Sequence, residues 1–433
     1  MRTEDFNYST VQWTVEPRAP RSGAQGTEKE ESCGGGATGM RTEDFNYDLP
    51  EELIAQEPAA VRDACRMLVM DRESGELEDR IFRDIEEYLR PGDLLVANET
   101  RVMPARLLGA KRSTGGQAEV FLLREVKGEK AKPYLDEVLT ESANQQAIWE
   151  VLVRPGKRLK PGSGAVVDFT DKQGNVALSA EVVDWASAKT DAAAAGESQD
   201  AEASAAKGER IARLTTTLPS LDEALHAVGH TPLPPYIKNY AGDEELYQTV
   251  YSRREASAAA PTAGLHFTPE LIERLKAKGI RWETVELEVG LDTFRIVDED
   301  DPTKHKMHTE FYTVPQATVD AINETHAAGG RVIAVGTTST RSLESAWDPQ
   351  ANGGEGTITA RNRDATSLYL LPGSTFHVID GLITNFHVPK STLMMLVSAF
   401  SSREHIMAAY RHAIENRYRM LSFGDAMFIK PAK

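Results

Sequence analysis

Thr337, Thr338 and Arg341 belong to a hydroxyl-rich stretch that directly follows an apolar, β-branched run at residues 331–335. Residues 339–347 have helical spacing, so the pattern predicts a strand, a hydroxyl-rich turn and a helix. Backbone N–H groups and the positive end of the helix dipole would then face a ligand. Such a site suits an anion or a polar nucleoside. The alternative is that Thr and Ser only cap the helix.

Two further segments carry imidazoles. Residues 259–268 are mostly small, followed by His266 and Phe267 before the helix that Pro269 opens, and small residues allow a ligand to approach the backbone closely. His266 is therefore an acid/base candidate, although a lone His is often only structural. In a strand, His308 and Glu310 would share one face, which favours an acid/base pair over a metal site. Two solvated side chains are the alternative.

Two buried strands, predicted at residues 93–97 and 381–386, end in polar loops. Open α/β sheets bind ligands at the carboxyl ends of their strands. The side chains at these ends are Asn98, Thr100 and Arg101 after the first strand, and Asn385, Phe386, His387 and Lys390 at the second.

Basic residues cluster in two places of an acidic chain with a formal charge of -17. One cluster is Arg411, Arg417 and Arg419, and the other is Lys157, Arg158 and Lys160. Each could contact RNA phosphates, or could simply be solvated. The overall charge argues against non-specific nucleic-acid binding.

The elements that must position these residues form two kinds of pattern. An all-β insertion is predicted at residues 104–233, with strands at 105–109, 118–123, 148–154, 164–170, 175–183 and 209–215, the spacing of a small barrel. An α/β domain is predicted from residues 40–103 and 234–433. Its predicted helices are 48–56, 80–89, 244–251, 269–277, 315–328, 392–399 and 403–415, with further strands at 66–71 and 283–288.

Three segments are predicted to lack fixed structure. Residues 1–39 are polar, and their first eight residues recur at 40–47, so we expect a disordered extension before a domain that starts near residue 40. Mobile insertions are expected near residues 126–146 and 186–208.

Composition limits the class of protein. Of 433 residues 40% are hydrophobic and 27% charged, which predicts a globular protein. Two cysteines cannot form a disulfide framework, and no apolar run reaches the roughly eighteen residues that a membrane span needs. We expect a cytoplasmic protein without membrane insertion.

Several blocks together resemble the family of S-adenosylmethionine:tRNA ribosyltransferase-isomerases of queuosine biosynthesis. They are DFNYDLPEELIAQEP, NETRV, LPPYI, PTAGLHFT, KMHTE, GTTSTRSLES, TNFHVPKSTL and SFGDAMFI. The resemblance covers nearly everything from residue 40 to 430 except the two insertions. It implies a barrel-like α/β domain that carries an inserted small β-barrel.

The resemblance also implies a reaction. The ribosyl moiety of S-adenosylmethionine is transferred to the 7-aminomethyl-7-deazaguanine base (preQ1) at the wobble position of tRNA and rearranged, giving epoxyqueuosine with release of adenine and methionine. S-adenosylmethionine is then a consumed substrate, with no retained cofactor and no metal. The partners are S-adenosylmethionine and the anticodon arm of tRNA, and we expect a monomer.

Roles for the residues follow from what this reaction needs. A base must take a proton beside the sulfonium and another must keep the attacking amine neutral, for which the candidates are His266, His308 and Glu310. His387 or Asp425 could protonate the departing adenine. Thr337, Thr338 and Arg341 would hold ribose hydroxyls or the methionine carboxylate, and Phe267 or Phe386 could stack on a base. Further substrate-binding candidates are Asn98, Thr100, Arg101, Thr262, Arg295, Asn385 and Lys390.

Two other functions predict different sequence features. A methyltransferase would show a Gly-rich loop after an early strand, and none follows residues 66–71 or 93–97. A non-catalytic RNA-binding protein would have a strongly basic barrel, whereas this chain is acidic.

Overall fold

A computed structural model describes residues 39–135, 145–186, 209–238, 240–290, 293 and 296–431. The predicted N-terminal extension and the centre of each predicted insertion lie outside the described residues, as does Arg295. No helix in the described ranges is long and apolar enough to cross a membrane.

A mixed nine-stranded sheet forms the larger part of the protein. In spatial order its strands are β18 (Arg361–Thr366), β14 (Glu310–Val314), β13 (Arg281–Glu288), β3 (Leu94–Asn98), β15 (Val332–Val335), β19 (Gly381–Asn385), β20 (Ala426–Lys430), β1 (Arg66–Asp71) and β2 (Leu77–Ile81). The central strands β13, β3, β15 and β19 are parallel, whereas β20 runs antiparallel to β19. The carboxyl ends of β3, β15 and β19 therefore meet at one edge of the sheet.

Helices cover both faces of this sheet. They are α1 (Ile85–Tyr88), α3 (Pro269–Ala277), α4 (Gln316–Ala327), α5 (Gly336–Ser345), α6 (Thr392–Phe400) and α7 (Arg403–Glu415), while α2 (Leu221–Val228) packs on the smaller sheet. Strand β3 is buried at every position: Leu94 and Val96 join one apolar cluster, and Leu95 and Ala97 join the other. Burial on both faces explains why the central strands are continuous apolar runs.

Six antiparallel strands close into a small barrel. They are β5 (Arg106–Lys111), β6 (Gln117–Val126), β7 (Gln146–Arg154), β10 (Glu209–Thr216), β9 (Val176–Trp185) and β8 (Val166–Thr170), and β8 pairs back onto β5. Alternate side chains of these strands fill the interior. All six predicted strands and the small barrel are confirmed, but the predicted all-β segment also contains the helix α2.

Short paired strands connect the barrel to the large sheet. Strand β4 (Arg101–Val102) pairs in parallel with β12 (Glu255–Ser257), and β11 (Gly229–His230) extends the barrel beside β5. The remaining pair is β16 (Trp347–Asp348) with β17 (Thr357–Ile358). The domain boundaries at 103/104 and 233/234 stay a prediction.

Three predicted helices and the predicted shape of the large sheet differ from the structure. Residues 48–56 form only a 3-10 turn at Glu51–Leu53, because the chain then extends and Ile54 bridges Met420. The predicted helix 244–251 is a 3-10 turn at Glu244–Tyr247, and the first half of 80–89 is strand and 3-10 turn before α1. The large sheet was expected to be barrel-like, but among the described strands no pairing joins its edges β18 and β2.

Candidate active site

A cleft opens at the carboxyl ends of β15 and β19, beside the small residues 259–263. Six predicted site residues line it: Thr262, Thr337, Thr338, Asn385, Phe386 and His387. Two of the three predicted polar strand ends are thus in the cleft wall. Ligands in open α/β sheets bind at this position.

The helix after β15 begins at once, without the predicted hydroxyl-rich turn. Gly336 has φ +91°, which L side chains rarely adopt, and this conformation bends the chain directly from strand into α5. Ser339 Oγ and Thr340 Oγ1 donate back to the carbonyls of the preceding turn, at 2.8 and 3.1 Å. Thr338 differs: its buried Oγ1 has no hydrogen-bond partner among the described residues. A buried unpaired hydroxyl beside a cleft is available to a ligand.

Arg341, in the middle of α5, forms a buried ion pair with Glu310. Their side chains are 5% and 2% exposed, and Arg341 Nη1 donates to Glu310 Oε2. Arg341 Nε and Nη2 have no hydrogen-bond partner within the described part of the chain. One half of the guanidinium is therefore neutralised and fixed, while its other half keeps two unused donors.

Glu310 also joins this pair to the rim of the cleft. Its Oε1 accepts from the Gly290 N–H at 2.9 Å and lies 3.1 Å from His308 Nε2. Gly290 follows Val289, which lines the cleft. Burial alone would raise the pKa of Glu310, but His308, Arg341 and the Gly290 N–H together hold that pKa below its usual value. Glu310 is therefore an ionised carboxylate at neutral pH.

Asn385 organises a hydrogen-bonded chain under the cleft. Its Nδ2 donates to the Leu421 carbonyl and to His266 Nε2, both at 3.2 Å, and its Oδ1 accepts from Thr262 Oγ1 at 3.2 Å. Because a carbonyl can only accept, the amide orientation is fixed. His266 Nε2 must then be an acceptor, so Nδ1 carries the proton and faces Cys65 Sγ at 3.1 Å.

His266 is a neutral imidazole behind the cleft wall. It is 4% exposed, and burial, aided by the charges of Arg62 and Arg419, lowers its pKa to about 3. Burial also raises the pKa of the Cys65 thiol, so neither group ionises near neutral pH. Both nitrogens of His266 are occupied by protein groups, which suits it to positioning Asn385.

His387 reaches the cleft itself. Its Nε2 lies 2.8 Å from Thr384 Oγ1, and its backbone is held by the hydroxyls of Tyr410 and Tyr47. Burial lowers the pKa of His387 to about 3. It is therefore a neutral hydrogen-bonding group in the cleft.

Several predicted site residues lie elsewhere. Asn98 and Thr100 are fully buried and bond each other, Ser257 and the backbone of Leu287. Their polar groups join β3, β13 and β12. They therefore support the cleft without lining it.

Asp425 and Phe267 also contact only other parts of the protein among the described residues. Asp425 accepts from the backbone N–H groups of Arg66 and Arg419, at 2.9 and 2.8 Å, and burial raises the pKa of its carboxyl. Phe267 is buried against Phe82 and Trp282. Neither residue lines the cleft.

Two basic candidates are near the surface. Arg101 pairs with Glu245 and lies within 3.6 Å of Glu255. Lys390 Nζ lies 3.7 Å from Glu43, and its backbone holds residues 45 and 297. Neither lines the main cleft.

Three residues that matter here were missed from the sequence. Tyr236 and Ser422 line the cleft and share a hydrogen bond of 2.7 Å, and Cys65 holds His266. Tyr236 and Ser422 belong to the blocks LPPYI and SFGDAMFI, whose recurrence in the resemblance was the available signal. Nothing local in the sequence marks Cys65.

Comparison with known proteins gives consistent matches. The sequence profile of a family described as queuosine biosynthesis protein matches residues 42–429. Three proteins named S-adenosylmethionine:tRNA ribosyltransferase-isomerase, from Acetivibrio thermocellus, Symbiobacterium thermophilum and Caldanaerobacter subterraneus subsp. tengcongensis, are each 45% identical to this chain, covering 90% of it and 100% of each relative. A crystal structure of S-adenosylmethionine tRNA ribosyltransferase from Thermotoga maritima is 34% identical, covers 89% of this chain and 99% of that chain, and has a TM-score of 0.44.

Proposed function

Because the chain belongs to the family of queuosine biosynthesis proteins, we propose that it transfers and isomerises the ribosyl moiety of S-adenosylmethionine onto preQ1 at the wobble position of tRNA. It is an enzyme of the S-adenosylmethionine:tRNA ribosyltransferase-isomerase class, a transferase, like its 45% identical relatives. The products are epoxyqueuosine in tRNA, adenine and methionine. S-adenosylmethionine is consumed and acts as no methyl donor.

This proposal rests on the guanidinium of Arg341, of which only Nη1 is paired with a described residue. Glu310 compensates its charge, so it can be buried, while Nε and Nη2 have no partner among the described residues. Arg341 does not itself line the cleft, so a ligand would reach these donors from the side of Thr338. Two parallel N–H donors match a carboxylate or a pair of ribose hydroxyls, and S-adenosylmethionine carries both. The unpaired Oγ1 of Thr338 adds a third polar contact at the start of the same helix.

Glu310 and His308 are the groups best suited to proton removal. Glu310 is ionised and already accepts hydrogen bonds, and His308 is 19% exposed beside it. We assign the bases of the reaction to this pair, with the order of their steps open. His266 has no free nitrogen, so we assign it to positioning Asn385.

His387 is proposed to contact the adenine. A neutral imidazole in the cleft can hydrogen-bond the base as it leaves, and Phe386 beside it supplies an aromatic edge. Asp425 keeps both oxygens on backbone amides and is dropped from this role.

The function is tested by incubating the protein with S-adenosylmethionine and tRNA that carries preQ1. Free adenine and methionine in equal amounts are expected. S-adenosylhomocysteine would instead indicate methyl transfer, and the absence of any product would refute the proposal. Turnover should be unchanged by a metal chelator, because no step needs a metal. We further propose that the enzyme acts in the cytoplasm as a monomer.

A further inference from the structure

One loop of the barrel is unusually basic for this chain. Residues 154–165, RPGKRLKPGSGA, contain four cations and no carboxylate, although the whole chain has 66 acidic residues against 49 basic ones. The side chains of Lys157, Arg158 and Lys160 are exposed. A polyanion that approaches an acidic protein needs such a local positive surface.

Buried contacts with the barrel hold the loop in place. Leu159, between the exposed cations, is fully buried in the barrel core. Arg210, 5% exposed, donates from Nε to the Leu159 carbonyl at 2.8 Å and from Nη2 to the Gly156 carbonyl at 2.9 Å. Its guanidinium also lies over the ring of Trp185, 4.8 Å from the centroid. The three cations are thus presented on a fixed turn, which reduces the entropy lost on binding.

Three cations of this loop, Lys157, Arg158 and Lys160, are not neutralised by any described neighbour. Elsewhere on the barrel, Arg106, Arg112, Arg124 and Arg213 each pair with a carboxylate. Lys157, Arg158 and Lys160 have no ion pair with any residue in the described ranges. As far as the described residues go, they therefore remain available to an external anion.

The loop lies at the free end of the barrel. The chain enters the barrel at Arg106, and β5 runs from there to Lys111, which pairs with Val167 on β8. Because the loop leads into β8 at this end, it is separated from the entry point by the length of β5, roughly 20 Å at about 3.3 Å per residue. The entry point adjoins β4 and β12, and cleft residue Ala259 follows β12 closely.

We propose that the turn carrying Lys157, Arg158 and Lys160 binds backbone phosphates of the substrate tRNA, away from the modified base. This inference rests on the proposed function, which makes tRNA the second substrate. A nucleic acid whose wobble base enters the cleft continues for many nucleotides beyond it, and the barrel carries a fixed cationic turn at a distance the RNA can span. Phosphate contacts of this kind set orientation and affinity without reading sequence.

The test compares two triple variants that remove the same charge. One is Lys157→Ala/Arg158→Ala/Lys160→Ala, and the control is Lys172→Ala/Lys276→Ala/Lys304→Ala, whose exposed lysines lie elsewhere. The measurements are the Kd for tRNA between 50 and 200 mM salt and the KM values for tRNA and S-adenosylmethionine. Melting temperatures of both variants check that they fold.

The loop variant should bind tRNA at least tenfold more weakly than the control at 50 mM salt, with an unchanged KM for S-adenosylmethionine. Its plot of log Kd against log salt should be less steep by about 2 to 3, one unit or slightly less per lost phosphate contact. Between 50 and 200 mM salt the wild type should then lose about 16- to 64-fold more affinity than the variant. Equal Kd values and slopes for the two variants would overturn the proposal.

Failure of this inference differs from failure of the proposed function. If the wild type released no adenine, the function would be refuted whatever the binding data showed. If adenine were released but the loop variant matched the control, only the phosphate-binding surface would be lost. As a second variant, Lys157→Glu alone should weaken tRNA binding further than Lys157→Ala.

Discussion

Replacing Glu310 by Gln tests the buried ion pair most directly. Gln keeps the shape of the side chain but removes the charge that compensates Arg341, which is 4% exposed. Arg341 would then be a buried cation with no charged partner, since its other two donors already have none among the described residues. Breaking a buried pair from one side destabilises proteins by about 3–5 kcal/mol.

The expected change in melting temperature follows from this figure. At about 2–4 °C per kcal/mol for larger domains, the Glu310→Gln variant should melt roughly 6–20 °C below the wild type at pH 7. The effect should depend on pH. The pKa of Glu310 is lowered in the folded protein, so its stabilisation is present above the unfolded pKa of about 4.3 and is lost as pH falls through the folded value. The two proteins should therefore converge in acid.

A double variant separates stability from function. Glu310→Gln/Arg341→Met removes both charges, and most of the lost stability should return because no uncompensated ion remains. S-adenosylmethionine-dependent release of adenine should not return, because the two donors of Arg341 are gone. A Glu310→Gln variant that melts within about 2 °C of the wild type would refute the reasoning about the pair. Full activity of the double variant would refute the role given to Arg341.

Three other substitutions probe the cleft. Gly336→Ala should be destabilised by about 1–2 kcal/mol because φ is +91°, and adenine release should fall with it. The control is Gly373→Ala, where φ is +101° and the space around the residue is open. It should lower the melting temperature by a similar amount yet retain turnover. Thr338→Val should leave the melting temperature nearly unchanged, because the lost hydroxyl has no partner among the described residues. It should raise the KM for S-adenosylmethionine. An unchanged KM would remove Thr338 from the site. His387→Gln should make stability less sensitive to acid, because the folded imidazole, with a pKa of about 3, stays neutral while the unfolded one takes a proton below about 6.5. This group alone should account for about 1.6 kcal/mol of the stability lost between pH 6.5 and 5. Melting curves that shift equally with pH in both proteins would contradict this.

Local sequence patterns were sufficient to predict most of the strands. The six barrel strands alternate inward and outward side chains between Gly and Pro turns, and β1, α3 and α7 were predicted with their observed bounds. The helix expected at 48–56 failed because Ile54 pairs with Met420, more than 350 residues away in sequence. No local pattern records such a long-range backbone contact.

The candidate site was also predicted only in part from the sequence. The rule that ligands bind at strand ends found Thr337, Asn385 and His387, which line the cleft. It could not show that Asn98 is satisfied by its own neighbours, or that Glu310 compensates Arg341. Those facts depend on the register between β3, β13 and β14, which the sequence does not display.

The position of β20 has a consequence for synthesis of the chain. This last strand lies between β19 and β1, so among the described strands the N-terminal hairpin of β1 and β2 joins the rest of the large sheet only through it. About 350 residues separate β1 from β20, and at roughly 5–20 residues per second the ribosome needs on the order of 20–70 s to make them. The barrel, whose strands are all complete by residue 216, can close during that interval. The cleft cannot, because Leu421 and Ser422 of its wall leave the ribosome with the last strand.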